Sequence, residues 1–347
     1  MKKFIAVITV LLLTVSLMAG CKKDQPKPAP IEKEEKPDVT VEKPVEKQEE
    51  EPVIRIGGLK GPTSMGLVKL LEDNEAGDSL NKYEFSIYGA ADELTPKLIG
   101  GELDIAAVPA NLAAVLYNNT KGKVKLLAIN TLGVIYIVEN GDTVKSLADL
   151  KGKTIYATGK GSTPEYALNY ILKENGIDTE TDLTIEWKTE PTEVVAVMKN
   201  EPGSIAMMPQ PYVTVAQASI PDLRIAVDLT KEWDALDNGS MLITGVLIVR
   251  TEFAESYPSL IDRFLEEYEA STKYVNVNID EASAMIEKYD IVKADIAKKA
   301  LPYCNIAFYA GDEMKAAMSG YLQVLFDQNP KSVGEHLPDD AFYYGSK

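Results

Sequence analysis

The sequence predicts an α/β fold in two lobes of like construction, closed by a helical tail, from Val53 to the end of the chain. Three observations predict it. Short apolar strands alternate with amphipathic helices as far as Val249. The same order of elements recurs one hundred positions later. Beyond Phe253 only helical patterns remain, through about Phe326.

Taken in order, the expected strands are Val53–Gly58, Tyr83–Tyr88, Leu103–Val108, Val124–Asn130 and Val134–Glu139. Thr154–Ala157, Leu183–Trp187, Ser204–Met208, Leu223–Asp228 and Leu242–Val249 follow. Helical spacing of apolar residues falls between them, at Ser64–Glu72, Leu94–Ile99, Asn111–Leu116, Pro164–Asn175, Thr192–Lys199 and Tyr212–Gln217. Strands interleaved with helices imply largely parallel sheets.

The recurrence is specific in position. Lys60-Gly61-Pro62-Thr63 follows a strand and opens a helix, and so does Lys160-Gly161-Ser162-Thr163. Ala107-Val108-Pro109 ends a strand before a helix, and so does Met207-Met208-Pro209. In open α/β sheets ligands bind beyond the carboxyl ends of strands, where these four loops lie. Gly57, Gly58 and Gly61 let a backbone approach a ligand, and Thr63 or Ser64 is expected to cap the first helix. Thr163 is the expected N-cap of the second, with Pro164 in its first turn. Unpaired N–H groups of both lobes would then face one crevice and favour an anionic or polar group. Lys60 and Lys160 stand beside these loops, and Tyr136 and Tyr212 are aromatic candidates for its walls.

Ahead of the folded body lies a different kind of sequence. Lys2 and Lys3 precede an apolar run from Phe4 to Leu13, and Leu17-Met18-Ala19-Gly20-Cys21 closes it. This reads as a signal peptide over 1–20. Ala-Gly-Cys resembles the lipobox of bacterial lipoproteins, with Met18 where leucine is more usual. By that resemblance Cys21 is lipidated, carrying a diacylglyceryl group and a further acyl chain, enough for stable anchoring. Residues 21–52 are then a linker rich in Lys, Glu, Pro and Gln, too polar to fold. Only Cys304 remains besides Cys21, so no internal disulfide and no thiol metal cluster is expected. The net charge is −17, which disfavours nucleic acid and anionic membrane surfaces as partners.

The segments Ile54–Leu71, Gly101–Asn111 and Ser146–Leu172 resemble the solute-binding proteins of ABC importers, in the nitrate, sulfonate, taurine and thiamine-pyrimidine branch. Ser-Leu-Ala-Asp-Leu-Lys-Gly-Lys at 146–153 and Leu-Asp-Ile-Ala-Ala-Val-Pro at 103–109 carry the resemblance. It implies a periplasmic-binding-protein type II fold, with residues 53–132 plus 246–347 as lobe 1 and 133–245 as lobe 2. The crossings would fall at Leu132-Gly133 and Thr244-Gly245. It further implies a small molecule held between the lobes, ABC permease subunits as partners, a monomer, and no cofactor. Carried over by position, the ligand contacts would be Pro62, Thr63, Ser64, Met65, Pro109, Ala110, Asn111, Asn130 and Thr131 in lobe 1. Ser162, Thr163, Pro209, Gln210, Met241 and Thr244 would complete the set. Asn111 and Gln210 stand out because an amide both donates and accepts.

No catalytic residue is expected. The single histidine, His336, lies in the polar segment after the last helix, and Cys304 has no histidine partner. The four arginines lie away from the loops, so no bidentate clamp is indicated. That leaves a small anion at helix ends, such as a sulfonate, or a heteroaromatic held by amides and tyrosines. A lipoprotein that senses the same ligand for a membrane receptor is the alternative use of this fold.

Overall fold

The computed structural model describes residues 51–346. The expected signal peptide, the expected lipidation site Cys21 and most of the expected linker lie outside the described residues. Among the described residues eleven strands form two sheets: β1 Ile54–Leu59, β2 Tyr83–Tyr88, β3 Ile105–Pro109, β4 Val124–Leu132, β5 Ile135–Asn140, β6 Thr154–Ala157, β7 Thr184–Trp187, β8 Ile205–Pro209, β9 Leu223–Asp228, β10 Ile243–Arg250 and β11 Ile306–Tyr309. The first sheet runs β11-β4-β10-β3-β1-β2 and the second β7-β6-β8-β5-β9.

Strand by strand the sheets match. β2-β1-β3 are parallel, as are β7-β6-β8. An antiparallel pair completes each one, β10 and β4 in the first, β5 and β9 in the second. The recurrence in the sequence therefore marks a recurrence of topology. The chain leaves the first sheet after β4, builds the second from β5 to β9, and returns as β10.

Several expectations need correction. The sheets are mixed rather than largely parallel, because the strands on either side of each crossing run against their neighbours. The tail is not helical only. Ile306–Tyr309 forms the edge strand β11, pairing Ile306 with Thr131 and Tyr309 with Ile129. Four residues are too few to show a period in the sequence, and only the exposed edge of β4 makes them a strand. The expected helix Ser64–Glu72 is two helices, Pro62–Met65 and Val68–Ala76. They part at Gly66, where an added Cβ would lie 2.6 Å from the Tyr268 hydroxyl. A helix at Leu229–Ala235, unread in the sequence, caps the end of β9, with Asp228 accepting the Thr230 N–H.

The glycines of the two crossings answer to contact. A Cβ on Gly133 would overlap Thr230 Oγ1. One on Gly245 would overlap Thr63 Cγ2 and lie 2.7 Å from Asn130 Oδ1. Thr244 Oγ1 donates to the Leu132 carbonyl at 2.5 Å, tying one crossing to the other.

The strand faces pack into apolar clusters with the helices. Ile155, Ala167, Leu168, Ile171 and Met207 fill the second sheet's face. The C-terminal helix Gly311–Gln328 buries Met314, Met318, Tyr321, Leu322 and Leu325. Each fully buried Leu or Met contributes about 2 kcal/mol. That helix reaches from the first sheet to the second, where Trp233 packs against Tyr321 with ring centroids 5.6 Å apart.

Candidate functional site

The loops singled out in the sequence lie at the carboxyl ends of β1, β3, β6 and β8. Gly61 takes φ 152° and Gly161 φ 75°, and nothing lies within 4 Å of a Cβ built on either. These glycines serve the backbone turn itself, since other residues rarely adopt such angles. The expected caps are corrected: Gly61 and Ser162 hold the N-cap positions, and neither caps through its side chain. Ser64 Oγ donates back to the Leu59 carbonyl at 2.7 Å, and Ser162 Oγ to the Gly159 carbonyl at 2.9 Å. The side chains are spent on closing their own loops.

Two N–H groups just ahead of the second-lobe helix are taken by the protein itself. The Gly161 N–H donates to the Glu165 carboxylate at 2.5 Å, and the Ser162 N–H to the Gly159 carbonyl at 3.1 Å. The same device recurs at Gly89 with Glu93 and at Thr189 with Glu193. A carboxylate four residues on takes the position an anion would take at a helix end. In the first lobe the helix after Gly61 is a single turn, too short to develop a dipole.

Two groups of predicted residues come together. Beside the crossings, Asn130 Nδ2 donates to the Thr63 carbonyl at 2.9 Å, and Thr131 Oγ1 donates to Asn130 Oδ1 at 3.0 Å. Across the crevice, Thr163 Oγ1 donates to Asn111 Oδ1 at 3.3 Å. Asn111 Nδ2 donates to the Ser332 carbonyl at 3.0 Å, and the Tyr321 hydroxyl donates to Thr163 Oγ1 at 3.4 Å. Asn111, Asn130, Thr131, Thr163 and Gln210 are all buried. Burial pushes the Tyr321 hydroxyl far above the ordinary tyrosine range, so it stays a neutral donor.

Other predicted residues lie elsewhere. Met65 is fully buried among Val275, Ala282 and Ile286, and Ala110 packs in the core of its own lobe. Met241 lies against the main core, partly buried. Pro62, Pro109 and Pro209 are half-buried at their strand ends. Gln210 Oε1 accepts from the Thr214 N–H at 3.3 Å and its hydroxyl at 2.9 Å. Lys60 pairs with Asp290 at 2.8 Å within its own lobe, while Lys160 is exposed. Tyr136 is a core residue whose hydroxyl reaches the Tyr303 carbonyl at 3.4 Å. Burial pushes that hydroxyl up to about 12. Tyr212 is half-buried.

The buried carboxylates are paired at the far ends of the sheets. Asp104 binds Arg55 at 2.7 Å and Arg250 at 2.8 Å beside the first residues of β1 and β3. Glu139 binds Arg224 at the end of β5 remote from the crossing. Arg263 joins Asn81 and Glu51. All four arginines are thus engaged away from the crevice. Among the described residues no His, Cys, Asp and Glu cluster is arranged to hold a metal, and no helix is long and apolar enough to cross a membrane. Exposed His336 lends only its carbonyl, to Asn118.

Sequence reasoning missed the partners from the tail, Tyr321 and Ser332, because only tertiary structure brings them to the crevice. Residues 81–220, from β2 into the helix after β8, match the family model for the ABC transporter phosphonate periplasmic substrate-binding protein. A curated binding protein of Brucella abortus is 24% identical over 186 residues, covering 53% of this chain and 56% of that protein. The chain thus spans little more than half the length of the curated relatives it matches. An ABC transporter structure from Parabacteroides distasonis superposes with TM-score 0.71 at 23% identity, covering 84% of this chain and 99% of that one. The periplasmic aliphatic sulphonate binding protein of Escherichia coli gives TM-score 0.65 at 19% identity, over 83% and 94% of the two chains. The alkanesulfonate-binding protein of Xanthomonas axonopodis, solved with MOPS, gives 0.64 at 15%, over 83% and 96%. In sequence over residues 81–220, and in fold over more than four-fifths of its length, this chain is similar to the periplasmic substrate-binding proteins of ABC transporters.

Proposed function

We propose that this protein is the extracytoplasmic solute-binding component of an ABC importer, held to the membrane by lipid on Cys21, and not an enzyme. The two sheets with their helices act as lobes, residues 53–132 plus 246–347 and residues 133–245. They close on a small molecule, and the closed form docks on the permease as a monomer. The observation that carries this is the buried Thr163–Asn111 bond, which joins the strand ends of one lobe to those of the other. Uncharged polar groups buried at facing strand ends can recognise a solute and release it again, because no strong charge pair has to be broken. The family that the sequence resembles, together with the sulfonate-binding structures of like fold, supports a sulfonate, nitrate or taurine-like anion, or a heteroaromatic such as a thiamine pyrimidine.

A thermal-shift screen against nitrate, alkanesulfonates, taurine, a thiamine pyrimidine, riboflavin and aromatic carboxylates tests the reading. A ligand that binds only the folded state stabilises it by about 2.7 kcal/mol at a hundredfold excess over Kd. A shift with one class, reduced when Thr163→Val removes the bond that helps hold the lobes together, is the expected result. Binding with a shift indifferent to every crevice substitution would place the ligand elsewhere and sink the reading.

A further inference from the structure

The strand-end loops are largely satisfied by the protein itself, which directs attention to the open space beside them. A groove of about 520 Å³ runs between the lobes, lined by Gln210, Thr214 and Ile225 on one side and Lys299, Pro302 and Tyr303 on the other. That volume suits a small ligand. Gln210 is only 1% exposed, and its oxygen is fixed by the two bonds from Thr214. Its Nε2 has no protein partner among the described residues, and it is not one of the sealed, unpartnered polar atoms, so its donors open on the groove. A ligand acceptor can replace water there.

Two further features say what would match. Ile225 at 36% and Tyr303 at 54% are among the few large apolar side chains left exposed, and both border this groove, from opposite lobes. Lys299 forms no ion pair among the described residues, whereas its neighbour Lys298 pairs with Asp280 at 2.7 Å. An aromatic face, an aliphatic face, a free amide and a free ammonium therefore line one groove.

We propose, on the solute-binding reading above, that this groove receives the solute and that the solute is a small aromatic or heteroaromatic acid. Its ring lies against Tyr303 and Ile225, its carboxylate meets the Lys299 ammonium, and a ring or exocyclic acceptor takes the Gln210 amide. Such a ligand touches both lobes at once, so its binding favours the closed arrangement. Inorganic anions and short alkanesulfonates lack the planar body and bind the groove weakly.

The test is calorimetric titration of the full chain with benzoate, 4-hydroxybenzoate and nicotinate, beside benzamide and ethanesulfonate as contrasts. The wild type is expected to bind at least one aromatic acid and to bind benzamide more weakly. Lys299→Met should weaken the acid about fivefold and leave benzamide unchanged. Tyr303→Ala should weaken both about tenfold. Both side chains are exposed, so neither substitution threatens folding, and Lys293→Met at the N-cap of the same helix, where the lysine pairs with Glu287, should leave binding unchanged. Aromatic-acid binding that ignores Lys299→Met and Tyr303→Ala overturns the groove and leaves the solute-binding reading standing. So does binding of ethanesulfonate alone. No binding of any aromatic acid at millimolar concentration overturns the assigned ligand class, and the wider screen above then decides the reading itself.

Discussion

Replacing Thr163 with valine keeps the side-chain shape and removes one hydroxyl from the crevice. That hydroxyl donates to Asn111 across the lobes at 3.3 Å and accepts from Tyr321 at 3.4 Å. Both distances exceed the usual 2.7–2.8 Å of a hydroxyl bond, so each contributes about 0.5 kcal/mol rather than more. Thr163 and Tyr321 are essentially inaccessible to water, so the substitution also strands Asn111 Oδ1 and the Tyr321 hydroxyl. Added together, Thr163→Val should cost about 1–2 kcal/mol. Tyr321→Phe removes one donor and leaves the Thr163–Asn111 bond in place, so it should cost about 0.5–1 kcal/mol. The pair shares a bond, and the double mutant should be less destabilised than the two single costs added, by about 0.5 kcal/mol. Urea unfolding of the four proteins measures the cycle. Strict additivity would refute the bond between Thr163 and Tyr321, and a Thr163→Val protein as stable as wild type would refute the crevice network.

Four other outcomes follow from the geometry. Asp104→Asn leaves Arg55 and Arg250 without their shared, buried partner and should lower stability by about 3 kcal/mol in denaturant titration. Burial alone would raise the Asp104 and Glu139 carboxyls, but bonds from Arg55 and Arg250 to one, and from Thr143, Val144 and Arg224 to the other, hold both below the usual range. A lowered folded value means stability that is complete above about pH 4 and lost as pH falls through the folded values, so Tm should drop steeply below about pH 4 and drop less in Asp104→Asn. Gly245→Ala pushes a methyl group against Thr63 and Asn130 and should cost about 2 kcal/mol, whereas Gly89→Ala, with its nearest neighbour at 3.9 Å and no left-handed backbone, should change stability little; comparing the two Tm values checks the contact. Cys304 is fully buried, which pushes its thiol well up, so a thiol reagent should modify it only after denaturation.

The sequence by itself determined most strands, because a run such as Ile54–Leu59 between turn residues carries its own signal. It also determined the two-lobed recurrence, since Gly61 and Gly161 each sit where the backbone needs φ > 0, a local demand that sequence records directly. Glu165, four residues after Gly161, lay in plain view, but that its carboxylate turns back to hold the Gly161 N–H depends on the folded loop. Only the tertiary structure decided strand direction and the edge strand β11, whose four residues become a strand by pairing with β4. It alone decided which polar residues meet. Asn111, Thr163, Tyr321 and Ser332 span more than two hundred positions, and no local pattern encodes a contact at that separation. The groove beside them has the same origin: Gln210, after β8, and Tyr303, in the turn Leu301–Tyr303, share it although far apart in the sequence.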